Sequence, residues 1–154
     1  MKVGNRAFPV ALGRGGIARD KREGDGRTPA GTWRILRLLY RADRLPRPRT
    51  RLPTRPIAPD DGWCDDPGDR RYNRPVRRPL AASHEHMRRE DRLYDLVLVL
   101  DHNMRPRVAG RGSAVFIHVA RPGLTPTEGC VAMPLAELRR LAAALKPGTR
   151  LIIA

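Results

Sequence analysis

The sequence predicts a mainly β fold, and three observations carry that expectation. Apolar and β-branched residues gather in short runs bounded by charge or turn residues, as in Tyr94–Leu100 and Ala114–Val119. Fifteen prolines and fourteen glycines are spread through 154 residues, which excludes a coiled coil and argues against a helical bundle. Clear helical periodicity occurs in one late stretch only, Pro134–Leu145. The length predicts one domain, residues 1–154, able to bury roughly 68–70% of its unfolded surface.

Taken in order, Phe8–Leu12 is a short strand candidate, followed by the glycine-rich loop Gly13–Gly16. Residues 20–31 (DKREGDGRTPAG) form a polar, turn-rich loop, in which Asp25 and Thr28 either line a cleft or serve local turn chemistry. Thr32–Tyr40 alternates partly with period two and is predicted as a strand. Arg41–Pro79 is rich in proline and arginine without a sustained period. It is expected to be an irregular excursion over the surface. Tyr94–Leu100 is a buried strand, and His102-Asn103 a hairpin-type turn after it. In the Ala114–Val119 strand, Val115, Ile117 and Val119 share one face and Ala114, Phe116 and His118 the other. Pro134 suits the first turn of the helix, whose apolar stripe is Leu135, Leu138, Leu141, Ala142 and Leu145. Arg150–Ile153 closes the chain as a strand.

Lys and Arg total 31 against 16 Asp and Glu, a net charge of +15. All but Lys2, Lys21 and Lys146 of those cations are arginines, scattered without a block of five. A solvated basic surface accounts for this, and so does attraction to an anionic polymer. No aromatic interleaving or zinc-finger spacing supports specific nucleic-acid readout. Apolar runs are too short for a membrane span, and Met1–Asp20 holds no secretory h-region.

Two cysteines, Cys64 and Cys130, are too few for a disulfide scaffold. Cys64, in Trp63-Cys64-Asp65-Asp66, reads as buried filler. His84-Glu85-His86 lacks ordinary zinc spacing and reads as a solvated loop rather than a metal site with Cys64. The informative stretch is Ala114–Pro134, AVFIHVARPGLTPTEGCVAMP. Here His118 closes a strand, and a turn-rich loop delivers Cys130 twelve residues later. A nearby imidazole can activate the thiol as nucleophile, with modest help expected from the dipole of the following helix. Gly129 lets backbone approach a carbonyl, and the amides at Gly129 and Cys130 are candidates for an oxyanion site. A small buried cysteine beside a core histidine fits the same spacing.

Three segments together resemble the L,D-transpeptidases of the YkuD type. Gly24–Ile35 (GDGRTPAGTWRI) is similar to the family's T-P-x-G-x-[FY] strand entry. Gly112–His118 (GSAVFIH) is similar to its strand ending in the base histidine. Thr127–Met133 (TEGCVAM) is similar to its [ST]-H-G-C-[IV]-R-[ML] motif. Glu128 stands where the family has a second histidine, and Ala132 where it has arginine or asparagine. Arg121 is a candidate to supply the missing charge, and Thr127 takes the place of the serine.

The resemblance implies a β-sandwich-like catalytic domain with Cys130 as nucleophile and His118 as proton donor and acceptor. It also implies Gly129 as oxyanion backbone, with Thr127 and Arg121 in substrate binding. The implied reaction is acyl transfer on peptidoglycan stem peptides. The thiolate attacks the carbonyl of the diamino acid at stem position 3, D-alanine leaves, and an amine or water resolves the thioester. The resemblance calls for no metal and no cofactor. It further implies covalent trapping by a β-lactam such as a carbapenem, and work in the cell envelope. A hydrolase on the same Cys–His pair and a non-catalytic basic polymer-binding module are the alternative readings.

Overall fold

In a computed structural model, residues 1–3 and 6–154 are described. The strands are β1 (Lys2–Val3), β2 (Arg6–Ala7), β3 (Ile17–Ala18), β4 (Thr28–Pro29), β5 (Gly31–Tyr40), β6 (Thr54–Pro56), β7 (Asp61–Cys64), β8 (Arg74–Arg77), β9 (His84–His86), β10 (Leu96–Leu100), β11 (Phe116–Val119), β12 (Val131–Met133) and β13 (Arg150–Ile153). The helix α1 (Leu135–Ala144) follows β12 directly, with Pro134 at its N-cap. The fold is mainly β, as the sequence pattern predicts, and sandwich-like, as the resemblance implies.

The central sheet runs β12-β11-β10-β5-β13, with β6 added alongside β5. Its pleat sorts side chains into two cores. Leu96, Leu98, Leu100, Ile117, Val119, Val131 and Met133 face α1, whose Leu138, Leu141 and Ala142 cover them together with Leu145 just past its end. Val97, Val99, Ala114 and Phe116 face the other way, onto Trp63, Met87 and Tyr94. The second layer is the antiparallel sheet β8-β7-β9. The faces of β11 are those the alternation in Ala114–Val119 predicts.

Three expectations are corrected. Residues 41–79 are not irregular: they supply β6, β7 and β8, with Leu52, Ile57, Trp63, Cys64 and Tyr72 all buried. The prolines hide this, because Pro56 and Pro75 sit on strands at the outside of their sheets, where a missing N–H breaks no inner ladder. His84-Glu85-His86 is strand β9 rather than a loop, with the two imidazoles stacked 5.1 Å apart. Phe8–Leu12 is not a strand. With Pro9 lacking an amide donor, the segment makes no continuous ladder, and Ala11 forms an isolated bridge to Ala132 that covers the open edge of β12. His102 and Asn103 do lie in a turn.

One buried side chain ties the layers together. Asn73 adopts φ 53°, a left-handed conformation that Asn tolerates better than most residues. Its Oδ1 accepts from Trp63 Nε1 at 3.0 Å and from the Ala114 amide at 3.1 Å. Its Nδ2 donates to the carbonyls of His102 and Asn103 at 3.0 and 2.9 Å. Removing it strands an indole N–H and a backbone amide away from water, each a cost of about 1–3 kcal/mol. Asn73→Ala is therefore expected to destabilise the protein by about 3 kcal/mol or more. Thermal melts should show a loss of roughly 6–12 °C at this chain length.

Candidate active site

The parallel pair β11–β12 positions the site. Its register sets Ile117 opposite Val131 and His118 opposite Ala132. Side chains alternate along both strands, so Phe116 and His118 share a face with Ala132 and with Cys130, two residues before it. With strands about 4.8 Å apart and a rise of about 3.3 Å per residue, the Cα atoms of His118 and Cys130 stand roughly 8 Å apart. Both side chains open into one cleft of about 370 Å³ between the two sheets.

Cys130 is half-buried at the start of β12. Its thiol donates to the Ala114 carbonyl at 3.2 Å, and Sγ accepts the Phe116 amide at 3.4 Å. Ala114 has φ 49°, so a strained non-glycine residue carries the thiol's acceptor. Burial pushes the Cys130 thiol up to about 12, and the Phe116 amide only partly opposes this. The activated thiol expected from the sequence is thus not the resting state. Nor does the helix dipole help, because β12 separates Cys130 from the start of α1 by roughly 10 Å.

His118 is buried, and its Nδ1 meets the Val119 carbonyl at 2.9 Å. A carbonyl only accepts, so Nδ1 carries the proton and the neutral ring keeps its Nε2 lone pair. Burial lowers the His118 pKa, the Val119 carbonyl opposes it, and Arg89 and Arg121 add to the lowering. Tyr94 packs its ring against the imidazole at 5.5 Å. The resting pair is a neutral thiol and a neutral imidazole.

Close backbone packing holds the Cys130 loop. Gly129 has φ 134°, and a Cβ there would meet the Arg27 carbonyl at 2.8 Å. A Cβ on Gly13 would meet the Gly26 carbonyl at 2.3 Å and the Gly129 Cα at 3.0 Å. The two glycine-rich loops seen in the sequence thus clamp the thiol loop. Thr28 is fully buried. Its hydroxyl accepts the Gly13 amide at 2.8 Å and reaches the Cys130 carbonyl at 3.4 Å, which settles its place as structural rather than cleft-lining. Thr127 also faces inward: it donates to the Cys130 carbonyl at 2.7 Å and accepts the Gly129 amide at 3.1 Å. The Gly129 N–H is therefore already engaged.

The remaining sequence candidates spread around the rim. Arg121 is exposed and lines the cleft. Glu128 is exposed and pairs with Arg14 at 3.1 Å on the surface. Ala132 is buried under the cleft floor. Cys64 is fully buried, free, and opposite His84 across β7–β9. Sequence reasoning missed Glu85, Tyr94 and Lys21 in the cleft wall. Only Lys21 left a signal, being one of three lysines in a chain that otherwise uses arginine.

Residues 2–153 match the family model of the YkuD L,D-transpeptidase catalytic domain. The chain belongs to that family, whose members act in peptidoglycan metabolism on stem peptides and are inhibited by β-lactams. No curated protein and no solved structure matches it. Among the described residues, no helix is long and apolar enough to cross a membrane.

The electrostatics set a pH signature. Iodoacetamide labelling of Cys130 in the native protein is expected to be slow near pH 7 and to keep rising above pH 9, the ordinary thiol range. Cys64 should label only after unfolding. Because the unfolded thiol ionises first, stability should fall as pH rises past 9, and less so in Cys130→Ala. A labelling midpoint below pH 8 would contradict the neutral resting pair.

Proposed function

We propose that this domain is a cysteine L,D-acyltransferase that forms a thioester on Cys130 from peptidoglycan stem peptides and passes the acyl group to an amine. The observation that carries the reading is the shared cleft face of Cys130 and His118, with Nδ1 anchored so that Nε2 is the free base. The cleft also mixes signs, with Glu23 and Glu85 beside Lys21, Arg89 and Arg121. That suits a stem peptide, which presents both ammonium and carboxylate groups.

The neutral pair sets the order of events. A donor carbonyl enters the cleft above Sγ. As Sγ attacks, His118 Nε2 takes the thiol proton, so the charge never rests on sulfur. The S–C bond forms and the carbonyl electrons move onto oxygen. His118 then protonates the leaving D-alanine amine as the C–N bond breaks. The thioester remains, and the acceptor amine reverses the same proton path. Thr127 and Thr28 hold the Cys130 carbonyl throughout. Gly129 exchanges Thr127 for the oxyanion, and Arg121 meets a carboxylate at the rim.

Turnover of a stem tetrapeptide donor is expected to fall by about 10³-fold or more in Cys130→Ala. His118→Gln should cost about 10²–10⁴-fold, while Cys64→Ala keeps most activity. Incubation with a carbapenem should add one covalent adduct per chain by intact mass, absent in Cys130→Ala. Folded protein with a free Cys130 thiol and no adduct after long incubation would instead favour a non-catalytic polymer-binding module. Product analysis distinguishes an amine acceptor from water.

A further inference from the structure

Lys21 is built into the wall of this cleft with care. It is only 6% exposed, although lysine is almost never so buried without a partner. Its ammonium donates to the Arg22 carbonyl at 2.7 Å and pairs with the Asp25 carboxylate. Asp25 in turn accepts the amides of Arg22 at 2.8 Å and Arg27 at 2.9 Å. Burial opposes ionisation of Asp25, but these hydrogen bonds outweigh it and hold its pKa below the usual carboxylate value. The stem of Lys21 crosses Gly112, where a Cβ would stand 2.9 Å from Lys21 Cγ and where φ is 91°. A glycine thus makes room for the lysine to cross.

The path ends at the thiol loop. Lys21 Nζ lies 3.6 Å from the point where a Cβ on Gly129 would stand, and Lys21, Gly129 and Cys130 line the same cleft. An ammonium has three N–H groups. Two are engaged by Arg22 and Asp25, which leaves one. The Gly129 amide is engaged by Thr127 at rest, and beside the backbone amides of Gly129 and Cys130 Lys21 adds a spare N–H and a full positive charge.

We propose that Lys21 is a further catalytic residue, whose ammonium donates its third N–H to the oxyanion formed when Cys130 attacks a carbonyl. The proposal rests on the acyl-transfer reading above. No proton leaves Lys21. The thiol proton goes to His118, the carbonyl π pair goes to oxygen, and Lys21 neutralises that oxygen until the C–N bond breaks and the carbonyl reforms. A cation already fixed in place holds such charge without having to reorganise. The same charge acts on the resting thiol, drawing its pKa down against burial and Glu85.

The test compares Lys21→Met, Lys21→Gln and Lys21→Arg, each checked by thermal melt. With a stem tetrapeptide donor, loss of the charge should lower kcat by about 10²–10³-fold while KM changes little. Lys21→Arg should recover part of the loss. In the absence of any donor, the iodoacetamide profile of Cys130 should move to higher pH in Lys21→Met and Lys21→Gln. That readout needs no turnover, so it separates the role of Lys21 from the acyl-transfer reading. If the wild type neither turns over the donor nor forms a carbapenem adduct, that reading fails, whatever the labelling shows. Wild-type kcat in either folded uncharged variant, or a raised KM with kcat unchanged, would overturn the proposal. So would an unmoved labelling profile. Lys21→Gln carries the test should the methionine variant not fold.

Discussion

The site depends on one pairing, the parallel alignment of β12 against β11. Parallel neighbours cannot be joined by a tight hairpin, so the chain must travel out and return between them. The returning segment, residues 120–130, is the one that carries Cys130. The register then places His118 opposite Ala132 and leaves Cys130 one pleat back on the same face. A slip of one residue would turn Cys130 into the core beneath α1 and raise Val131 into the cleft. Large apolar side chains on the opposite face oppose that slip. Ile117, Val131 and Met133 are all buried against the helix. The packing of one face thus fixes the chemistry of the other.

That chemistry is one of restraint at rest. The thiol faces a carbonyl rather than a base, and burial keeps both Cys130 and His118 neutral. A neutral thiol resists stray oxidation and alkylation better than a thiolate. In the proposed reaction, a carbonyl that fits the cleft displaces the thiol's resting contact. In this family member the second histidine of the motif is Glu128, which has turned out to a surface pair with Arg14. Electrostatic help at the thiol then falls to the loop of residues 20–31 rather than to the motif.

Much of this was legible in the sequence, for identifiable reasons. β10, β11, β13 and α1 announce themselves because each buries a regular face, and periodicity is the signal of a buried face. The glycines near the thiol loop are legible too, since a Cβ on Gly13 would run into the Gly26 carbonyl and one on Gly129 into the Arg27 carbonyl. What escaped is set by contacts distant in sequence. β12 is three residues long and its partner lies upstream across a loop. β7, β8 and β9 are short, and proline and histidine conceal their pairing. Lys21 meets Gly129 from more than a hundred residues away, and no local pattern encodes that meeting. The resting state of the thiol is hidden for the same reason: spacing shows that an imidazole is near, but not how much water is excluded.

Asn73 links that proline-rich segment to the Cys130 thiol in two steps. It holds the amide of Ala114, and the carbonyl of Ala114 holds the Cys130 thiol. The segment therefore does more than decorate the sheet. Partial opening of β7–β9 would release Ala114 from its strained conformation and cut the thiol loose with it. The two regions are expected to open as one cooperative unit, on one timescale and with one free energy. Shortening this segment would remove Asn73 and with it the support of the Ala114 amide behind the thiol's acceptor.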